Sequence, residues 1–204
     1  MSENTDATGA APFRVAVILG SVREGRFGTT VADWFAGQAA ERADVEVDVI
    51  DPAEAGLPLR FPAFGSLPEP ETAGALAAVQ SRLAAADAFV VVTPEYNHSF
   101  PAALKNLIDW HNAEWQAKPV GFVSYGGLSG GLRAVEHLRV VFAELHAVTV
   151  RETVSFHGAW ERFDAEGAPV DPAGCNGAAK ALLDQLLWWA HALRDAKAAR
   201  PYAA

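Results

Sequence analysis

Residues 14–30 read RVAVILGSVREGRFGTT, and the reading of this stretch decides the fold. Val15 to Leu19 is an apolar run of strand length, rich in β-branched residues. It stops at Gly20-Ser21, and helical spacing resumes near Thr29-Thr30, with Val31, Trp34 and Phe35 on one face. Between them lies a loop of glycines, the Ser21 hydroxyl and two arginines, Arg23 and Arg26. A phosphate monoester needs such a loop: closely approaching backbone N–H groups, the positive end of a helix dipole and guanidinium forks. The stretch therefore predicts a strand, a phosphate-binding loop and a helix.

Working outward, the same alternation repeats along the chain. Helix 1 is expected from Gly28 to Arg42, with Trp34 and Phe35 as packing residues. Val45 to Ile50 alternates apolar and polar residues, which predicts a strand near a sheet edge. Asp51 behind it reads as a turn residue, because the first loop lacks the GxGxxG order of a dinucleotide site. Helix 2 is expected from Pro70 to Ala86, and Asp87 to Thr93 is a nearly unbroken apolar strand of the kind buried at the centre of a parallel sheet. Helix 3 begins near Pro101 and continues through Trp110. Pro119 to Ser124 is the fourth strand, followed by a turn from Tyr125 to Gly131 that carries Gly126, Gly127, Gly130 and Gly131. Helix 4 spans Leu132 to His146, Val148 to Phe156 is strand 5, and a polar loop, His157 to Gly174, leads to a last helix with Leu182, Leu183, Leu186, Leu187, Ala190 and Leu193 on its core face.

Five strands, each followed by a loop and a helix, predict a doubly wound parallel sheet in one domain over residues 13–200. In the flavodoxin-like order 2-1-3-4-5, strands 1, 3 and 4 are neighbours, so the loops after them converge where such folds bind ligands. Those loops hold Gly20 to Thr29, then Pro94-Glu95-Tyr96-Asn97, then the glycine turn.

Composition narrows the function further. The chain has 204 residues, half of them apolar, enough for a full α/β core. A formal net charge of −9 argues against nucleic acid or an anionic membrane as partner. A single cysteine, Cys175, leaves no intramolecular disulfide and suits a reducing cytoplasm; it reads as a helix-start residue without an activating base. No apolar stretch reaches membrane-span length, and the first dozen residues read as a disordered tail rather than a signal peptide. The six histidines are scattered, and no Ser-His-Asp or metal-ligand constellation is visible.

Residues Pro52 to Pro70 carry five of the twelve prolines together with Leu57, Leu59, Phe61, Phe64 and Leu67. The segment is either a loop packed on its own domain or part of a subunit interface or cofactor rim. Trp110 and Trp115 read as exposed aromatics that, with Phe61 and Phe64, would fit an interface between subunits. Glu95 is expected to face the loop backbone or a subunit contact, and His98 reads as an ordinary loop residue that could alternatively touch a bound ring.

The GSVREGRFG loop, the PEYN turn after strand 3 and the SYGG turn after strand 4, in that order, resemble the NADPH-dependent FMN reductase family of flavodoxin-like proteins. The resemblance covers nearly all of the chain from Arg14 to the last helix. It implies an FMN-dependent oxidoreductase that takes hydride from NADPH or NADH and passes electrons to free flavin, a quinone or another small electrophile. A flavodoxin-type carrier of FMN without turnover is the alternative. By position, the resemblance puts Gly20, Ser21, Arg23, Arg26, Phe27, Gly28 and Thr29 around the FMN phosphate. It puts Pro94, Glu95, Tyr96 and Asn97 along the ribityl chain and ring, and Ser124, Tyr125, Gly126 and Gly127 beside the isoalloxazine. Arg26 and Gly28 stand where many relatives carry serine and asparagine, so Arg26 could instead point at solvent or a neighbouring subunit. The resemblance also implies a homodimer or homotetramer with the flavin near the subunit boundary. No catalytic side chain and no metal is assigned, since the cofactor carries the electronic work.

Overall fold

The computed structural model describes residues 11–203, so all but the last two residues of the expected tail, 1–12, lie outside the described residues. Five strands form one sheet: β1 (Phe13–Leu19), β2 (Val45–Ile50), β3 (Ala88–Pro94), β4 (Pro119–Gly126) and β5 (Val148–His157). Every pairing is parallel, and the order is β2-β1-β3-β4-β5, as the sequence predicts. Five helices connect or follow them: α1 (Gly28–Ala40), α2 (Pro70–Ala85), α3 (Ala102–Asp109), α4 (Leu132–Glu144) and α5 (Pro172–Ala199).

The pleat divides the core into two layers. Val15, Val17 and Leu19 of β1 share one face with Val90 and Val92 of β3 and Val123 of β4, under α1 and α5. Ala16, Ile18, Phe89, Val91 and Phe122 point the other way, under α2, α3 and α4. Because both faces of β1, β3 and β4 are covered, these strands are apolar apart from Arg14 near the start of β1 and Thr93 and Ser124 near the ends of β3 and β4. β2 sits at an edge, and its Glu46 and Asp48 bond Arg14 and Arg82 rather than entering the core.

Several boundaries differ from the sequence reading, each for a local reason. β4 continues two residues beyond Ser124, because Tyr125 and Gly126 still pair with Phe156 and His157 of β5. α5 starts at Pro172, before the expected loop ends; Asp171 accepts a hydrogen bond from the Gly174 amide and caps it, which leaves Cys175 in the first turn, where burial pushes its thiol up. α1 and α4 stop at Ala40 and Glu144, two residues earlier than expected.

One expectation about the surface is corrected. Trp115 is fully buried, not exposed: a 3₁₀ turn, Ala113–Trp115, drives it between Phe89 and Phe142, and its indole N–H donates to the Ile108 and His111 carbonyls. A free 3₁₀ turn after α3 carried no periodicity from which this inward direction could be read. Trp115→Ala is expected to lower unfolding free energy by about 3–5 kcal/mol, the usual cost of emptying a large aromatic from a packed core, measured by chemical denaturation.

Candidate functional site

The registers of β1 with β3 and of β3 with β4 bring Leu19 beside Val92 and Pro94 beside Tyr125. The loops behind these strands therefore meet, and a cleft of about 490 Å³ opens between them. Arg23 and Phe27 come from the first loop, Pro94, Glu95, Tyr96 and Asn97 from the second, and Tyr125, Gly126 and Gly127 from the third. Ala159 and Trp160 add a fourth side that the sequence reading did not assign.

The first loop is built to leave α1 open. Phe27 stands at the N-cap without a side chain capping the helix, and no acidic residue lies in the first turn. The leading amides and the positive end of the dipole therefore face the loop. A turn from Arg23 to Arg26 with Gly25 at positive φ folds the chain back over them. Ser21 is buried, and its hydroxyl is 2.6 Å from the Tyr96 hydroxyl, which ties the first loop to the second. Arg23 is exposed, has no carboxylate partner among the described residues, and rests 4.7 Å from the Tyr96 ring centroid. It is a free cation at the mouth of an open helix terminus.

Arg26 is placed differently. Its guanidinium donates to the Ser21 carbonyl at 3.0 Å and forms an ion pair with Asp51, both side chains being largely shielded from water. Asp51 also accepts from the Ala53 amide at 2.9 Å, so it is the turn residue the sequence suggests and in addition the partner of Arg26. Thr29 donates to the Arg26 carbonyl. The Arg26–Asp51 pair thus braces the loop against the end of β2, a contact between residues 25 apart that no local pattern signals.

The second and third loops are held by their own bonds. Glu95 accepts from the Ser129 hydroxyl, the Arg133 amide and the Arg133 guanidinium. Burial would raise its carboxyl, and these hydrogen bonds from Ser129 and Arg133 overcome that and hold it below the usual range. The carboxylate therefore clasps the start of α4. In the glycine turn, Gly130 and Gly131 adopt positive φ, and a Cβ on Gly131 would come within 2.7 Å of Ser124. Ser124 itself is fully buried and donates to the Gly130 carbonyl, so its side chain fastens this turn and does not line the cleft, contrary to the sequence expectation. Gly20 likewise serves a close approach: its amide donates to Val92, and a Cβ there would stand 3.0 Å from Thr93. Asn97 and His98 both take positive φ in the tight turn closed by Tyr96 and Ser99, and His98 lies beside His137 of α4.

Tyr125 reverses the expected arrangement. Its backbone borders the cleft, while its ring runs into the α1-side core against Phe27, and its hydroxyl reaches Gly28. Burial pushes this phenol well up, only partly offset by Arg26 and Arg23, so it stays neutral. Among the described residues the hydroxyl has no hydrogen-bond partner, which leaves a donor aimed at the N-terminus of α1. A Cβ at position 28 would meet that hydroxyl, so a side chain there needs the Tyr125 ring to shift. Gly28→Ala should cost on the order of 1–3 kcal/mol by overpacking. Adding Tyr125→Phe should recover most of that loss, because the nearest remaining atom lies 3.3 Å away. Denaturation of the two single variants and the double variant checks this.

Among the described residues no group of three or more His, Cys, Asp or Glu side chains could hold a metal ion, and no helix is long and apolar enough to cross a membrane. The sequence matches the NADPH-dependent FMN reductase family over residues 13–161. It is 37% identical over 122 residues to the NAD(P)H-dependent FMN reductase of Schizosaccharomyces pombe, covering 58% of this chain and 60% of that one. It is 33% identical over 172 residues to the NADPH:quinone oxidoreductase of Arabidopsis thaliana, covering 78% and 82%. The flavoenzyme NAD(P)H:(acceptor) oxidoreductase FerB from Paracoccus denitrificans shares the fold, with a TM-score of 0.68 at 23% identity over 86% of this chain and 98% of that one. A match over residues 13–161, together with a loop, a turn and a glycine turn that meet at one cleft, makes this chain a member of the NADPH-dependent FMN reductase family.

Proposed function

We propose that the protein is an FMN-dependent NAD(P)H oxidoreductase that reduces quinones or free flavin. The observation that carries this reading is the juxtaposition of an uncapped helix N-terminus, a cation without a carboxylate partner and a glycine-edged cleft formed by three loops. These features fit FMN. The phosphate would lie at the start of α1, near Ser21, Arg23, Thr29 and the unpartnered Tyr125 hydroxyl. The ring would lie between the Tyr96–Asn97 turn and Gly126–Gly127, which line the cleft.

Bound FMN would supply the two-electron chemistry, taking a hydride from NAD(P)H and handing the electron pair to the acceptor. The chain's own contribution is orientation. Glu95 is occupied by Ser129 and Arg133, which keeps a free carboxylate away from a ring that becomes electron-rich. Arg26 acts through the loop: held by Asp51, it fixes the Ser21 carbonyl and with it the curvature of the phosphate site. Arg23 is the direct phosphate ligand. The single domain of residues 13–200, a cytoplasmic location and the choice between NADPH and NADH belong to the same proposal.

The assembly completes it. Leu59, Phe61, Phe64 and Leu67 are exposed on the proline-rich segment, and Trp110 stacks on Phe61 at 4.4 Å while its indole donates to the Pro58 carbonyl. This apolar surface next to α3 supports a two-fold homodimer, or a tetramer built from it.

Purified protein should carry a flavin absorbance spectrum that NADPH bleaches, and should oxidise NADPH steadily with a quinone or free FMN present. A flavin spectrum without turnover would indicate an electron carrier instead. Arg23→Ala should weaken FMN binding about 10- to 150-fold, the value of a charge-assisted hydrogen bond, in a fluorescence titration. Arg26→Ala and Asp51→Ala should each weaken it by a similar, smaller factor, and the double variant should lose no more than either alone, because the two residues act as one unit. Light scattering across a dilution series should return a dimer or tetramer mass at micromolar concentration; a monomer with full FMN content and activity would remove the assembly from the mechanism.

A further inference from the structure

Trp160 is the one large aromatic at the cleft that the fold does not use. It follows β5 on a short 3₁₀ turn, Ala159–Glu161, and is 68% exposed. Its neighbours are fixed. Gly158 adopts positive φ and donates to the Gly127 carbonyl at 3.0 Å, which docks this turn onto the glycine turn. The Glu161 amide donates to Gly158 at 2.9 Å, and the Arg162 guanidinium donates to the His157 carbonyl at 2.9 Å. Ala159 and Phe163 are buried in the α1-side core. A rigid platform therefore carries an indole that stands largely exposed.

The direction of that indole is informative. Its six-membered ring lies 3.4 Å from where a Cβ on Gly127 would stand, so it leans over the glycine edge of the cleft. Across the cleft stands Tyr96 with Arg23 above its ring. Three of the other tryptophans have partners: Trp34 donates to Asn176, Trp110 to Pro58, and Trp115 to Ile108 and His111, while Trp188 and Trp189 of α5 pack edge-to-face on each other, away from the cleft. Trp160 donates to nothing among the described residues. A flat, apolar face with a free N–H beside it is matched by a planar ring that carries carbonyl oxygens.

We propose that Trp160 is an acceptor-binding residue: its indole stacks on the ring of a quinone-class acceptor and selects planar aromatic acceptors over non-planar ones. This rests on the reductase reading above. In the reaction the quinone gains two electrons and two protons and leaves as the quinol. NAD(P)H supplies both electrons and one proton as hydride, and water supplies the second proton. Trp160 takes no part in that balance and acts only on binding.

The test compares wild-type holoenzyme with Trp160→Ala and Trp160→Phe, using a two-ring naphthoquinone and ferricyanide as acceptors. Rapid-mixing reduction of the bound flavin by NADPH is followed separately. The ratio of naphthoquinone kcat/KM to ferricyanide kcat/KM should fall about three- to tenfold in Trp160→Ala and stay near the wild-type value in Trp160→Phe, which keeps a stacking face. A ratio within twofold of wild type in Trp160→Ala overturns the proposal, as does a parallel fall with both acceptors. A larger effect on flavin reduction by NADPH overturns it by placing the indole on the nicotinamide, and loss of FMN from Trp160→Ala overturns it by placing the indole on the cofactor. Wild-type flavin that NADPH does not bleach sinks the reductase reading itself, a failure visible before any variant is made.

Discussion

Parallel pairing of β1, β3 and β4 is the constraint on which the rest depends. A parallel strand cannot turn back directly, so each connection must cross a face of the sheet and return to the same end. All loops that follow strands therefore gather at one edge, and with β1, β3 and β4 as neighbours three of them must touch. The requirement is backbone hydrogen bonding, not anything about a ligand. Its consequence is a cleft whose walls come from four separate chain segments, the first two joined by the contact between Ser21 and Tyr96, 75 residues apart.

Once the loops meet, charge and shape are divided among them. The molecule as a whole carries a net charge of −9, yet the first loop presents the open end of α1 and Arg23, beside an Arg26 that Asp51 neutralises. Two nearby carboxylates are engaged elsewhere, while Glu24 of the same loop is exposed to solvent. Glu95 is consumed by Ser129 and Arg133, and Asp51 is consumed by Arg26 and the Ala53 amide. Local hydrogen bonding thus decides where an anion can sit, while net charge bears on which large partners are repelled. The glycines divide in the same way. Gly126, Gly130 and Gly131 let the turn close on itself and over Ser124, and Gly127 lies under Trp160 at the cleft edge.

The fourth wall follows from register. β5 pairs His157 with Gly126, so whatever follows His157 lies beside the glycine turn. The Gly158–Gly127 hydrogen bond then fixes the height at which Trp160 emerges. Exposure of an indole on so well anchored a turn is the feature that the packing of the domain does not account for.

The sequence alone determined the strand and helix order, the sheet order, the burial of β1 and β3 and the three loops that would converge. Those follow from hydrophobic period and from glycine, proline and serine at strand ends, which are local in the chain. The FMN reductase resemblance rests on the same local motifs. Direction and partnership were not legible. That Arg26 turns to Asp51, that the Tyr125 ring enters the core while Ser124 fastens a turn, that Trp115 is buried and that Trp160 faces the cleft are all decided by contacts between distant segments. An arginine, a tyrosine or a tryptophan has the same local signature whether it faces solvent, a neighbour or a ligand. Only the tertiary structure decides among them, because the competing partners come within reach only when the strands have paired.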